Sequence, residues 1–245
     1  MLVSIVTVCY NSEKTIRGAI ESVLAQTYPN VEYIVVDGLS KDNTLEIARS
    51  YEEKFRQKGY TYRIISEKDK GIYDAMNKGI RAASGEIVGM INSDDWYEPI
   101  AVETAVEAYK QERYDYFYGD INLLKEDGTV ITKHSKLDKF PTTRHWNHPT
   151  TFITKKTYEQ MGLYRCRSVY DDWDLILRLK SAGRKAVVRN VVLANFRTGG
   201  VSSEKTFKKA MARCRFRYEA YRSNGYSPLY ILECIAMEFA KLILS

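Results

Sequence analysis

The chain has 245 residues, 44% hydrophobic and 28% charged. That suffices for one substantial domain, or one domain with a tail, and excludes a disordered, collagenous or coiled-coil chain. Its four cysteines, Cys9, Cys166, Cys214 and Cys234, form no C-x-x-C pair. Their spacing argues against a disulfide scaffold or structural zinc and fits a reducing cytosol. A net charge of +6 and a pI of about 8.9 favour anionic partners.

Residues 2–8 are a continuous apolar, β-rich run, as expected of a strand buried on both faces. They lack the basic flank and small-residue cleavage site of a signal peptide. Ser12 opens a helix with Ile16, Ile20, Val23 and Leu24 on one face, ended by Tyr28-Pro29-Asn30. A second strand spans 31–36, and the turn Asp37-Gly38-Leu39-Ser40 leads to a helix over about 41–58. A third strand follows at 62–66, a short helix at about 73–83, and a fourth strand at 86–92 that runs into Ser93-Asp94-Asp95. This β-α-β-α-β-α-β order predicts an α/β fold with a mostly parallel central sheet flanked by helices. Ligands bind such sheets beyond the carboxyl ends of the strands.

The second half is less regular. A helix is expected at about 99–112, a hairpin from 114–124 and 129–134, a strand at 150–153, a helix at 171–182 and a strand at 186–196. The last 45 residues read as two helices. No stretch of ~18 uncharged apolar residues marks a membrane span.

Acidic residues gather at the predicted strand ends. Asp37 follows strand two, Asp94 and Asp95 follow strand four, Asp69 and Asp74 flank Gly71, and Asp171, Asp172 and Asp174 open a helix. Converging carboxylates repel unless a cation offsets them, and hard divalent cations are often completed by substrate phosphates. The pattern therefore suggests a metal-bound phosphate ligand, against the plainer reading of turn and helix caps. Capping is the preferred reading for Asp42, and function for Asp94-Asp95. No G-x-G-x-x-G, G-x-x-x-x-G-K-[ST] or G-x-S-x-G is present, which argues against a dinucleotide fingerprint, a P-loop and an α/β-hydrolase.

Residues 3–11, the run Val36-Asp37-Gly38-Leu39-Ser40-Lys41-Asp42-Asn43-Thr44, residues 67–79 and Asn92-Ser93-Asp94-Asp95 resemble the family 2 glycosyltransferases of the GT-A fold. So do His148-Pro149-Thr150-Thr151-Phe152 and residues 171–179, and the resemblance covers about residues 1–200. No single motif is specific; their common order and spacing are. The resemblance implies an inverting transfer of a sugar from a nucleotide-diphosphate donor, preferably a UDP-sugar with Mn²⁺ or Mg²⁺, to a glycan or lipid-linked acceptor. Bacterial surface polysaccharide assembly at the cytoplasmic membrane face is the implied setting. Residues 1–203 would form the GT-A domain, with 1–95 the nucleotide-binding half and 96–203 the acceptor half. Residues 204–245 would form a helical extension.

By the same resemblance Thr7, Val8, Tyr10 and Asn11 line the nucleotide pocket and Asp37 contacts the nucleobase. Asp69 lies in the segment lining that site, with Asp74 nearer the donor. Asn92 and Asp94 hold ribose or donor sugar, and Asp95 is the direct metal ligand. The acceptor hydroxyl needs a positioned base. Asp172 takes that role, with Asp171 second because it stands where the family usually has Glu. His148, with Pro149 in place of the usual Gln, would touch the diphosphate or metal, or serve as a buried hydrogen-bonded histidine. Trp173 is the best placed of three tryptophans to stack on a sugar. Arg178 could pair with Asp174 one turn earlier. Gly199-Gly200-Val201-Ser202 resembles a segment that closes over the diphosphate.

Lys205, Lys209, Arg213 and Arg217 recur every four residues, opposite an apolar stripe of Phe207, Ala210, Met211, Cys214, Tyr218 and Tyr221. The apolar residues of 229–244 suit an in-plane helix, and the basic stripe would draw anionic headgroups. Packing on the domain or on a second copy in a homo-oligomer is the alternative. Nucleic acid is not an expected partner, since no recognition motif accompanies the stripe. Two other functions compete: a nucleotidyltransferase, which needs a basic Gly-rich loop not seen here, and a non-catalytic nucleotide- or glycan-binding module.

Overall fold

A computed structural model describes residues 1–198 and 206–243. The first half alternates strand and helix: β1 (Val3–Cys9), α1 (Ile16–Leu24), β2 (Val31–Asp37), α2 (Thr44–Arg49), α3 (Glu52–Lys58), β3 (Thr61–Ser66), α4 (Ile72–Ala82) and β4 (Ile87–Met90). Then come β5 (Trp96–Tyr97), α5 (Ala101–Glu112), β6 (Tyr116–Leu124), β7 (Val130–Lys133), β8 (Phe152–Thr154), α6 (Lys155–Met161), α7 (Asp171–Ser181) and β9 (Ala186–Arg197). Helices α8 (Phe207–Ser223) and α9 (Tyr230–Ile243) follow.

One nine-stranded sheet runs through both halves in the order β3-β2-β1-β4-β8-β6-β9-β5, with β7 on β6. The β3-β2-β1-β4 block is wholly parallel. Beyond it β8 pairs antiparallel with both β4 and β6, whereas β6 and β9 run parallel. Because side chains alternate along a strand, β1 sends Val3, Ile5 and Cys9 to one core and Val6 and Val8 to the other. The first core is closed by α1, α2, α3 and α5, the second by α4, α6, α7, α8 and α9. Each fully buried aliphatic or aromatic side chain contributes about 1.5–3 kcal/mol. Helix α4 lies so close to β1 that a Cβ on Gly79 would sit 2.3 Å from Val6 Cγ1.

Three local expectations need correction. The helix expected over 41–58 is two helices: the Ser50 hydroxyl donates back to the Ile47 carbonyl, closing α2, and Tyr51 turns into the core. The first helix starts at Ile16, because Ser12 O accepts from Thr15 N and Ile16 N and makes 12–15 a turn. Strand β5 and helix α6 had no counterpart in the sequence reading. Two residues are too few to show a period, and α6 is a single seven-residue segment capped by Thr154.

Candidate active site

The carboxyl ends of β1, β2, β3 and β4 meet at one edge of the sheet. Asp37 ends β2 and is 1% exposed. Its carboxylate accepts from Ser40 N at 3.2 and 3.3 Å and from Ser66 Oγ at 2.6 Å. The turn after β1 is laced to the same loop: Asn11, at φ +50°, donates its N–H to Ser40 Oγ and accepts from Lys41 N. Gly38 packs closely here, since a Cβ would come 2.8 Å from Asp69 Oδ2 and displace that carboxylate. Asp69 in turn pairs with Lys78 Nζ at 2.7 Å, and Lys78 also reaches Asp74 and Glu67. Asp69 and Asp74 thus share Lys78, and Asp69 sits against Gly38, the residue after the buried Asp37. Thr7 is buried and Tyr10 exposed. Asp42 accepts from Thr44 N and Glu13 N and organises the turn before α2, consistent with a cap.

The acid pair after β4 differs. Ser93 donates to Ser12 Oγ at 2.9 Å, tying this loop to the end of β1. Asp94 is half-buried, and its carbonyl accepts from Arg197 Nε. Asp95 is 1% exposed; Oδ1 accepts from Arg197 N, while Oδ2 is buried without a partner among the described residues, as is Asn92 Oδ1. Burial, reinforced by the Asp94 charge, lifts the Asp95 pKa to about 8. An orphaned, desolvated carboxylate oxygen beside a second acid is a fitting ligand for a divalent cation. No group of three metal-ligating side chains assembles among the described residues, so such a cation would need oxygens from a phosphorylated ligand.

A second carboxylate group stands on α7. Asp171 is buried and fully engaged, accepting from Arg167 N, Ser168 N and Ser168 Oγ. Asp172 is half-buried, and its Oδ1 accepts from Trp173 N at 2.7 Å. Burial raises its pKa, opposed by His148 and by the Trp173 N–H, with Tyr73, whose hydroxyl donates to Val169 O, close by. Burial conversely lowers the pKa of His148, whose Nε2 lies 3.4 Å from the Tyr164 hydroxyl. Asp172, His148, Tyr73 and Tyr164 therefore form one cluster. Asn77 docks the Tyr164 segment by bonding both its backbone N–H and its carbonyl.

The sequence profile described as Glycosyl transferase family 2 matches residues 4–169. The chain belongs to this family. A glycosyltransferase of Rickettsia felis is 31% identical over 73% of this chain and 32% of its own. Chondroitin synthase of Escherichia coli is 36% identical over 74% of this chain and 27% of its own. The putative teichuronic acid biosynthesis glycosyltransferase TuaG of Bacillus subtilis is 31% identical over 54% and 51%. The chain thus spans well under two thirds of each of these relatives. Among solved structures, residues 1–349 of S. aureus TarS in complex with UDP superpose with a TM-score of 0.70 at 16% identity, covering 100% of this chain and 72% of TarS. Mannosyltransferase PcManGT of Pyrobaculum calidifontis, in complex with GDP-Man and Mn²⁺, gives 0.66 at 16% identity, covering 97% and 69%. These likenesses establish the GT-A-like α/β fold.

In this family 2 chain, Trp173 does not face a sugar: it is buried between Trp146, at 5.4 Å, and Tyr221, at 6.2 Å between ring centroids. Asp174 pairs with Arg165 at 2.9 Å, whereas Arg178 donates to the carbonyls of Gly162 and Leu163. The second half of the basic stripe of α8 is turned inward, while Lys209 is exposed. Arg213 and Arg217 are buried against Glu238 of α9, while Phe207 and Met211 of the supposed packing stripe are exposed. The Glu238 carboxylate accepts from both guanidinium groups, and the Tyr170 ring lies under that of Arg217. Gly199-Gly200-Val201-Ser202 and Lys205 lie outside the described residues. Lys78, Tyr73 and Tyr164 carry contacts that the sequence did not single out. Only the Asp74/Lys78 spacing of one helical turn pointed to any of them.

Proposed function

We propose that the chain transfers a sugar with inversion from a nucleotide-diphosphate donor, preferably a UDP-sugar, to a glycan or lipid-linked acceptor in polysaccharide synthesis. Asp95 carries the reading: a buried carboxylate with one unpartnered oxygen, beside Asp94, at the end of a parallel strand. Asp37, Asn11 and Thr7 would take the nucleoside, with Val8 and Tyr10 beside them, and Asp69 and Asp74 would border the donor. Asn92 and Asp94 would face ribose or donor sugar. Asp95, with His148 as a weaker candidate, would hold Mn²⁺ or Mg²⁺, which supplies charge stabilisation to the departing diphosphate. TarS with UDP and with UDP-GlcNAc, and PcManGT with GDP-Man and Mn²⁺, support a metal-assisted nucleotide-sugar site.

Asp172 would be the base. The acceptor hydroxyl oxygen bonds to the anomeric carbon as the bond to the diphosphate oxygen breaks, and the hydroxyl proton passes to the Asp172 carboxylate. A carboxylate whose proton affinity is raised by burial suits that task. Asp171 is the weaker candidate, because three hydrogen bonds already hold it. No described helix is long and apolar enough to cross a membrane. Exposed Leu232, Ile235 and Phe239 of α9, with Leu229 in the turn before it, support contact with a lipid surface at the inner membrane face.

The test is calorimetric titration with UDP, GDP and dTDP, each with and without Mn²⁺. Metal-dependent binding of one of them is expected, most strongly UDP. Absence of binding to all three would overturn the nucleotide-donor reading.

A further inference from the structure

The segment Tyr170-Asp171-Asp172-Trp173-Asp174 lies at the start of α7. At about 100° per residue, positions 170, 173 and 174 share one face and 172 points the other way. All three residues of that face are gripped by the C-terminal helices. The Tyr170 hydroxyl donates to Glu238 Oε1 at 3.2 Å and accepts from Arg217 Nη2 at 3.0 Å, and the Arg217 guanidinium lies 4.9 Å over the Tyr170 ring. Trp173 abuts Tyr221 of α8. Asp174 Oδ1 accepts from Asn224 Nδ2 at 2.8 Å and from Ser223 Oγ at 3.2 Å. Asp171 is occupied capping 167–168. Only Asp172 is left to face His148 and Tyr73.

We propose that α8 and α9 act as a clamp that positions Asp172, with Arg217 and Glu238 as positioning residues acting through the Tyr170 hydroxyl. Burying two arginines and a glutamate is an expensive way to join helices, since well-packed apolar side chains often do so with equal or better stability. What the charged network adds is a fixed orientation for one hydroxyl at the entry to the acid turn. Arg217, 1% exposed, donates Nη2 both to the Tyr170 hydroxyl and to Glu238 Oε1, and Glu238, 4% exposed, accepts from the same hydroxyl, so the buried pair holds Tyr170 from two sides. The family match ends at residue 169, so the clamp lies wholly outside it. The proposal rests on Asp172 as base.

The test uses the full chain with Tyr170→Phe, which keeps the ring and deletes only the linking hydroxyl, and Glu238→Gln, which keeps the volume. Fluorotryptophan labelling reports the turn through Trp173, assigned with Trp173→Phe. Hydrolytic release of UDP from UDP-GlcNAc and UDP-glucose reports turnover. In both variants the Trp173 resonance should broaden or double while that of Trp96 stays unchanged. Turnover should fall about tenfold, with UDP affinity by calorimetry within twofold of the parent. A parent-like Trp173 resonance with parent-like turnover in both variants would overturn the clamp. Asp172→Asn separates the two ideas. If it retains full turnover, the base assignment fails, while the Trp173 resonance still decides whether the C-terminal helices hold the turn.

Discussion

Asp95→Asn keeps the shape of a buried acid and removes its ability to ionise, and it should separate stability from function. Asp95 is 1% exposed, and burial together with the Asp94 charge lifts its pKa from 3.8 to about 8. Because the folded-state value is raised, its stabilising contribution is complete below 3.8 and is lost as pH rises toward about 8. At about 1.4 kcal/mol per pKa unit, the loss is about 1 kcal/mol at pH 4.5 and on the order of 4 kcal/mol at pH 7. The asparagine amide, placed where Oδ2 has no partner, returns about 1–3 kcal/mol of that. Metal-free Asp95→Asn should therefore melt above the parent at pH 7.5 by roughly 3–10 °C. At pH 4.5 the gain should vanish or reverse. Added Mn²⁺ with UDP should stabilise the parent and not the variant, and the variant should lose metal-dependent nucleotide binding. Thermal melts at the two pH values, with and without Mn²⁺ and UDP, make the measurement. A variant no more stable than the parent at pH 7.5, or equally more stable at both pH values, would refute the argument that burial makes ionisation of Asp95 costly.

Asp172→Asn should lower turnover by roughly 10²–10⁴-fold with UDP affinity kept, as removal of a general base does. Burial raises the Asp172 pKa against the pull of His148. In the parent, turnover should therefore rise with pH along an acid limb displaced above the ordinary carboxylate range, and a limb at the ordinary value would contradict the assignment. Gly79→Ala places a Cβ 2.3 Å from Val6 Cγ1 and should cost about 1–3 kcal/mol, as overpacking does; a denaturant midpoint equal to that of the parent would show that α4 can move off β1.

The first half of the fold was legible because β1, β2 and β4 are buried on both faces and read as largely apolar runs, with helices of clear period between the strands. The positions of Asp37, Asp69, Asp94 and Asp95 at strand ends followed from the same alternation. The sequence could not show that β4 and β6 are joined through the three-residue β8, since pairing across 60 residues leaves no local trace. Nor could it orient α8. A stripe of basic residues at four-residue spacing reads as a face for anionic headgroups until Glu238 and Tyr170 are brought against Arg213 and Arg217.

Sequence alone therefore determined the parallel first half of the sheet and which acids stand at its strand ends, because burial pattern and strand-end position are local properties. The tertiary structure decided which of those acids are already engaged. Asp171 is spent on backbone donors of residues 167 and 168, and Asp174 on Arg165, Ser223 and Asn224, whereas Asp95 keeps a bare oxygen and Asp172 faces His148. A carboxylate is chemically available only when its donors are not supplied by the protein, and most of those donors come from segments far away in the chain.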